Sequence, residues 1–319
     1  MIHGVLNVYK EKGFTSHDVV AKLRGITGQK KIGHTGTLDP DAKGVLPVCL
    51  GRATKLCDML TDRDKTYETV LLLGRTTDTQ DISGKVLKTG DAGGLSETQV
   101  REAIESFTGE YAQIPPMYSA LKVGGKKLYE LAREGKEVGR KARTVRIYKI
   151  GILEIALPRV RMRVHCSKGT YIRTLCHDIG ERLGVGGCME ELLRTQSGRF
   201  HIEESLTLGE IERMRQEGSL TEAVIPVDEM FGDYPEAVAG RRWDALVKNG
   251  NPLPEGALSF RESGEEAAGR LSGNAFSQSA VGAPDSVRVY DDTGQFIAIY
   301  RWQKEKKEYR VLKMFYPML

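Results

Sequence analysis

The alternation of apolar and polar side chains in Gly4-Val5-Leu6-Asn7-Val8-Tyr9 predicts a strand at the start of the chain. Val19, Val20, Leu23 and Ile26 then recur at helical spacing behind a Thr15-Ser16 cap, with Gly28 as the stop. Residues 66–73 read as a strand ending at Gly74. Ser96-Glu97-Thr98-Gln99 has the form of a capping box ahead of Val100, Ile104 and Phe107, with Gly109 past the end of that helix. Two adjacent runs, 144–157 and 160–166, predict a hairpin turned at Pro158, and 171–183 predicts a helix that buries Ile172, Leu175, Ile179 and Leu183 before Gly184 stops it. Strands and helices mix without regular alternation, so the predicted class is α+β with a mixed or antiparallel sheet.

The pattern changes near Asp233-Tyr234-Pro235, which divides the chain into 1–233 and 234–319. The second part predicts one helix over 237–248, stopped by Asn249-Gly250, and strands over 287–290, 295–302 and 308–315. Asp291-Asp292-Thr293-Gly294 turns the first two strands into a hairpin, and the whole suggests a small β-barrel. Residues 261–286 are rich in Gly, Ser and Ala and read as a flexible loop. A chain of 319 residues with 40% apolar side chains has material for two cores. Its apolar runs are too short to cross a bilayer, and Met1-Ile2-His3-Gly4 lacks the charged and apolar regions of a secretion signal. Five cysteines without a C-x-x-C pair fit a reducing cytoplasm and no structural metal.

Charge alters this picture locally. The net charge is only +4, but residues 122–149 carry ten basic side chains against three acidic ones, a net of +7. Such a segment attracts polyanions by counterion release, though a charge run is equally a solvated face.

Candidate chemistry concentrates in residues 31–47. Gly33, Gly36, Gly44, Pro40 and Pro47 predict an irregular loop, while Leu38, Val45 and Leu46 anchor it to a core. Asp39 precedes Pro40, which confines it to extended backbone and gives its carboxylate a defined direction. The glycines do not continue into a phosphate-binding loop and no G-x-G-x-x-G follows a strand, which removes nucleotide hydrolysis and dinucleotide chemistry. A hydrolase built on Ser16, His34 and Asp39 would lack the G-x-S-x-G elbow. By itself such a cluster is more often a structural turn than a site.

Gly33-His34-Thr35-Gly36-Thr37-Leu38-Asp39-Pro40, continuing through Gly44-Val45-Leu46-Pro47, resembles the signature of the TruB family of RNA pseudouridine synthases. Four further motifs follow the family order: Lys10 with Gly13-Phe14-Thr15-Ser16, Lys65-Thr66-Tyr67, Tyr171-Ile172-Arg173, and Leu192-Leu193-Arg194 with Ser197-Gly198. The resemblance implies an enzyme that turns uridine 55 in the T-loop of tRNA into pseudouridine by base flipping, with neither metal nor cofactor. Asp39 would be the nucleophile, Arg173 its cationic partner, and Tyr67 the tyrosine that stacks on the flipped base and assists loss of the C5 proton. His34 would fill the space the nucleotide vacates, Tyr171 and Leu192 would line the base pocket, and Lys10 would join the substrate-binding residues.

The same resemblance makes the basic run, within about 113–149, a thumb-like insertion over the T-arm, with Lys126, Lys127, Lys141 and Arg143 as RNA contacts. The C-terminal barrel would be PUA-like and touch the acceptor side of tRNA. No membrane, no obligatory protein partner and a monomer are expected. A dyskerin-like, guide-dependent synthase fits less well, because those relatives lack the basic insertion; a tRNA-folding factor is the rival of another class. Three positions depart from the family pattern: Glu11 where proline is frequent, Lys43 where a small hydroxyl residue is usual, and Leu193 where an arginine is common. The family gives no role to the loop over 261–286.

Overall fold

A computed structural model describes residues 1–261, 276–277 and 284–317. Its elements run β1 Gly4–Lys10, α1 Ser16–Thr27, β2 Ile32–His34, β3 Lys43–Leu50, α2 Cys57–Thr61, β4 Lys65–Leu73, β5 Arg75–Thr77, β6 Val86–Thr89, α3 Glu97–Glu105 and β7 Gly109–Gln113. There follow β8 Lys122–Val123, β9 Lys126–Lys127, α4 Leu128–Arg133, β10 Arg143–Ala156, β11 Arg159–Cys166, α5 Ile172–Arg182, β12 Gly187–Ser197, β13 Phe200–His201 and α6 Leu208–Glu217. The last part comprises β14 Glu236–Ala239, α7 Asp244–Lys248, β15 Leu253–Pro254, β16 Leu258–Arg261, β17 Phe276–Ser277, β18 Ser286–Tyr290, β19 Phe296–Gln303 and β20 Glu308–Met314.

The large sheet has the order β1-β3-β12-β4-β11-β10-β7, with β2 and β13 as side branches. Every pairing is antiparallel except β3 with β12, so the α+β class is observed. On one face Tyr67, Leu71, Val160, Met162 and Val164 pack under α5, whose Leu175 and Ile179 are fully buried. Burial of each such side chain is worth roughly 1.5–3 kcal/mol, which fixes α5 against the sheet. Local signals start and stop the helices. Thr15 and Asp18 form the capping box of α1, and Gly28 closes it at φ 66°; Ser96 and Gln99 cap α3 in the same way.

Three expectations are corrected. Residues 31–47 are not one irregular loop, since β2 and the start of β3 occupy its two ends; β3 is buried on both faces and so shows no period of two. The helix expected over 237–248 is the strand β14 followed by the short α7, because Ala237 and Ala239 alternate inward over only four residues. Gly109 does not end α3, which caps at Ser106; it opens β7 instead. Most of the loop expected over 261–286 lies outside the described residues. The predicted C-terminal strands are present as β18 to β20 in a second mixed sheet, ordered β15-β20-β19-β18-β14-β16-β17. Val45, Cys49, Leu56 and Phe200 of the first sheet's side share a core with Phe231, Tyr290, Phe296 and Phe315.

Candidate active site

The loop between β2 and β3 is tied down at almost every residue. Thr35 is fully buried and donates from its amide and hydroxyl to the Pro47 carbonyl at 3.1 and 3.2 Å. Ser16, at the start of α1, accepts from the Leu38 amide at 2.9 Å. The Gly13 amide donates to the Pro40 carbonyl at 2.9 Å. Lys10, expected among the substrate-binding residues, is fully buried. Its Nζ donates to the carbonyls of Ala42 at 2.7 Å and of Glu11 and Pro40 at 3.1 Å, so it braces the loop from below. At Gly44, φ is 110° and a Cβ would lie 2.2 Å from the Arg194 carbonyl oxygen, a contact no other residue could make.

Asp39 projects from this loop toward the start of α5. Arg173 Nε lies 3.1 Å from Asp39 Oδ2 and Nη2 3.4 Å from Oδ1. The guanidinium is 6% exposed and the Asp39 carboxylate 39%, so the cation is sequestered and the carboxylate stays reachable. Arg173 spends its remaining donors on Asp81 Oδ2 at 3.3 Å, the Thr79 carbonyl at 3.2 Å and the Tyr118 carbonyl at 3.0 Å. A guanidinium with every edge engaged has one orientation. Burial pushes the Asp39 carboxyl above the ordinary aspartate value, against the pull of Arg173.

A cavity of about 50 Å³ adjoins the carboxylate, lined by Leu38, Asp39, Tyr67, Tyr171, Arg173 and Leu192 among others. A surface depression of about 740 Å³ between α1 and α6 holds none of these groups. Tyr67 is 9% exposed; burial raises its phenol, and Arg194, its partner across β4 and β12, opposes the rise. Tyr171 caps α5, its amide and carbonyl both engaged by the buried Gln113 at 2.8 and 2.9 Å. His34 packs edge-on to His17 at 5.4 Å and accepts from the Gly36 amide at 3.4 Å. Burial lowers its imidazole, so Nδ1 stays an acceptor.

The structure thus brings Asp39, Tyr67, Tyr171, Arg173 and Leu192 around one cavity. His34, at the end of β2, does not line that cavity, and Lys10 lies beneath the loop. In the basic insertion, Lys126 pairs with Glu134 at 3.3 Å and Lys127 Nζ meets the Tyr129 hydroxyl at 3.2 Å. Lys141 and Arg143 are exposed and have no acidic partner within ion-pair distance among the described residues. Two residues the sequence did not single out belong to the site: Asp81, 92 positions from its partner, and Arg194, 1% exposed at the end of the Leu192-Leu193-Arg194 run. Lys43 and Leu193, two departures from the family pattern, are partners in the parallel ladder between β3 and β12, so this pair keeps a cation but on the other strand.

No helix among the described residues is long and apolar enough to cross a membrane. Their five cysteines are free. One carboxylate group outside the site, Asp244, Asp291 and Asp292, is already bridged by Lys248 at 2.9 and 3.2 Å.

Residues 24–172 match the family described as TruB family pseudouridylate synthase (N terminal domain), and 173–232 match the tRNA pseudouridylate synthase B C-terminal domain. The chain is 49% identical over 322 residues to a protein of Lachnoclostridium phytofermentans named tRNA pseudouridine synthase B, covering 98% of this chain and all of that one. It is 42% identical to the protein of that name from Bacillus pumilus, over 94% and 93% of the two chains. Among solved structures it is similar to one described as an H/ACA RNP bound to a substrate RNA containing 2'-deoxyuridine. The TM-score is 0.69 and the identity 27%, over 99% of this chain and 86% of the other. A Cbf5-Nop10-Gar1 complex gives the same TM-score at 29% identity, covering 99% and 85%.

Proposed function

Since the chain belongs to the TruB family of pseudouridylate synthases, we propose that it isomerises uridine 55 in the T-loop of tRNA, with Asp39 as the nucleophile. It is an RNA pseudouridine synthase. The observation that carries the assignment of roles is the Asp39–Arg173 pair at 3.1 Å beside a cavity walled by Tyr67 and Leu192. The reaction breaks the bond from N1 to C1′, turns the base, joins C5 to C1′, and exchanges the C5 proton for one on N1. Addition of the carboxylate to C6 and its attack at C1′ use the same Asp39. Tyr67 stacks on the flipped base and assists loss of the C5 proton; Tyr171 and Leu192 hold the ring edge.

The start of the insertion rests on Arg173 through the Tyr118 carbonyl, and entry of the base displaces it. The basic side chains of 113–149, Lys126, Lys127, Lys141 and Arg143 among them, then meet T-arm phosphates, while His34 fills the gap in the loop. Residues 1–233 form the catalytic unit, and 234–319 a PUA-like unit on the acceptor side.

The enzyme works in the cytoplasm as a monomer without guide RNA, metal or cofactor. Full-length identity of 49% to a protein named tRNA pseudouridine synthase B, against 27–29% to chains of the H/ACA RNP and the Cbf5-Nop10-Gar1 complex, favours this over the dyskerin-like reading. Mapping pseudouridine by carbodiimide derivatisation and primer extension on an unmodified tRNA transcript treated with the purified chain tests it: a carbodiimide-dependent stop at position 55 that vanishes in a transcript with cytidine there is expected. A stop elsewhere, or none without guide RNA, overturns it.

A further inference from the structure

Three cations near the cavity take no part in the Asp39–Arg173–Asp81 network. Lys10 and Arg194 are 0% and 1% exposed, and Lys65 is 6% exposed. Each donates to backbone carbonyls. Arg194 Nε reaches Val45 at 2.6 Å and its Nη2 reaches Gly36 at 3.4 Å; Lys65 Nζ reaches Thr61 at 2.6 Å and Arg63 at 2.5 Å. Among the described residues, none of the three has a carboxylate oxygen within 4.0 Å. Sequestering an ion from water costs several kcal/mol, and a carboxylate partner is the usual offset. Here Asp39 and Asp81 are both engaged by Arg173, and the other acids that act on Lys10 and Lys65, namely Asp18, Asp41, Asp62 and Asp64, lie beyond ion-pair distance of them.

Their placement is ordered. Arg194 is the direct partner of Tyr67 across the β4–β12 ladder, and Lys65 precedes Tyr67 by two residues on the same buried face of β4. Lys10 crosses beneath the Asp39 loop. Gly36 and Gly44 lack the side chains that would separate Arg194 from the loop.

We infer that Lys10, Lys65 and Arg194 form a buried cationic floor that stabilises the negative charge developing on the uracil during isomerisation. Both routes place that charge on the base: addition to C6 gives an enolate over C5 and O4, and cleavage at C1′ releases a uracil anion over N1 and O2. In each, the electron pair moves onto the ring while the substrate starts neutral there, so a fixed positive potential favours the transition state over the ground state. Such a field requires no direct contact and no motion during the reaction. The inference rests on the synthase reading above. Loss of turnover in the wild-type enzyme would refute that reading, whereas turnover insensitive to these charges would refute the floor alone.

The test compares charge-deleting with charge-retaining variants of similar size: Arg194→Met against Arg194→Lys, and Lys65→Met against Lys65→Arg. Single-turnover rates on a tRNA transcript and tRNA Kd by filter binding are the readouts. Each Met variant is expected to lose on the order of 10- to 100-fold in rate with Kd changed by less than about threefold, and the charged variant to recover most of that loss. A purely structural role lowers both members of each pair together, as followed by thermal melting, and that outcome overturns the inference. So does a wild-type rate in either Met variant. Should Arg194→Met not fold, the Lys65 pair decides.

Discussion

Asp81→Asn probes how Asp39 is held. Asp81 Oδ1 accepts from the Ser83 amide at 3.0 Å and from Thr79 Oγ1 at 2.8 Å, contacts an asparagine oxygen can keep, so the turn survives. Oδ2 faces Arg173 at 3.3 Å, and there the charge is lost. The pair is largely buried, at 6% and 18% exposure, so it is worth more than a surface ion pair of about 0–1 kcal/mol. A hydrogen bond to a charged group is worth about 1.5–3 kcal/mol, which predicts a fall in single-turnover rate of about 10- to 150-fold if the alignment matters only in the transition state. The sign on Asp39 is opposite. Asp81 repels the Asp39 carboxylate, so its removal makes ionisation easier and shifts the acid limb of the pH–rate profile downward. Rapid-quench tritium release across pH 4–8 measures both. An unchanged rate, or an acid limb that moves upward, would refute the claim that Asp81 orients Arg173 and loads Asp39.

Replacing Lys126, Lys127, Lys141 and Arg143 together with Gln should reduce the slope of log Kd for tRNA against log salt by up to about 3.6, at roughly 0.9 per phosphate contact; an unchanged slope rejects the clamp. Gly44→Ala should destabilise the fold by about 2–4 kcal/mol in urea titration, because the Arg194 backbone in its way cannot move aside. Lys10 and Lys65, brought by burial to about 8, lose their protons as pH rises through that value. Arg194 adds repulsion to both, against the pull of Asp39, Asp41 and Asp18 on Lys10 and of Cys166, Asp62 and Asp64 on Lys65. The turnover rate should therefore fall above about pH 8. Between about 8 and the unfolded value near 10.5 the folded state binds fewer protons at these sites, so their contribution to stability grows as the rate falls. Lys10→Arg and Lys65→Arg together should move the basic limb upward; a limb that stays in place in the double variant contradicts the assignment.

Much of the site was legible because its motifs are local. Asp39, Tyr67, Tyr171, Arg173 and Leu192 each sit in a short run whose order along the chain matches the family, and the structure collects them at one cavity. Helix ends were legible too, since Thr15, Ser96 and Gly28 act through neighbours within four residues. What escaped depends on distance or burial. Asp81 meets Arg173 only because the hairpin of β5 and β6 folds over α5, and nothing near Asp81 in the chain announces it. Arg194 and Lys10 are polar residues in core positions, which residue type alone assigns to the surface. β3 was hidden by its two covered faces and by Pro47 within it, and β14 by its shortness. The turn at Asp291–Gly294 was readable because the Asp291 carboxylate accepts from the amides of Thr293 and Gln295.

The most direct test of the central claim is tritium release from C5 of uracil in an unmodified tRNA transcript, with the purified chain and its Asp39→Asn variant side by side. The variant removes the negative charge and keeps the shape. Release by the wild type without added guide RNA, and none by the variant while it still binds tRNA, is the predicted result. Release by the variant at a comparable rate, or none by the wild type with tRNA bound, would contradict it.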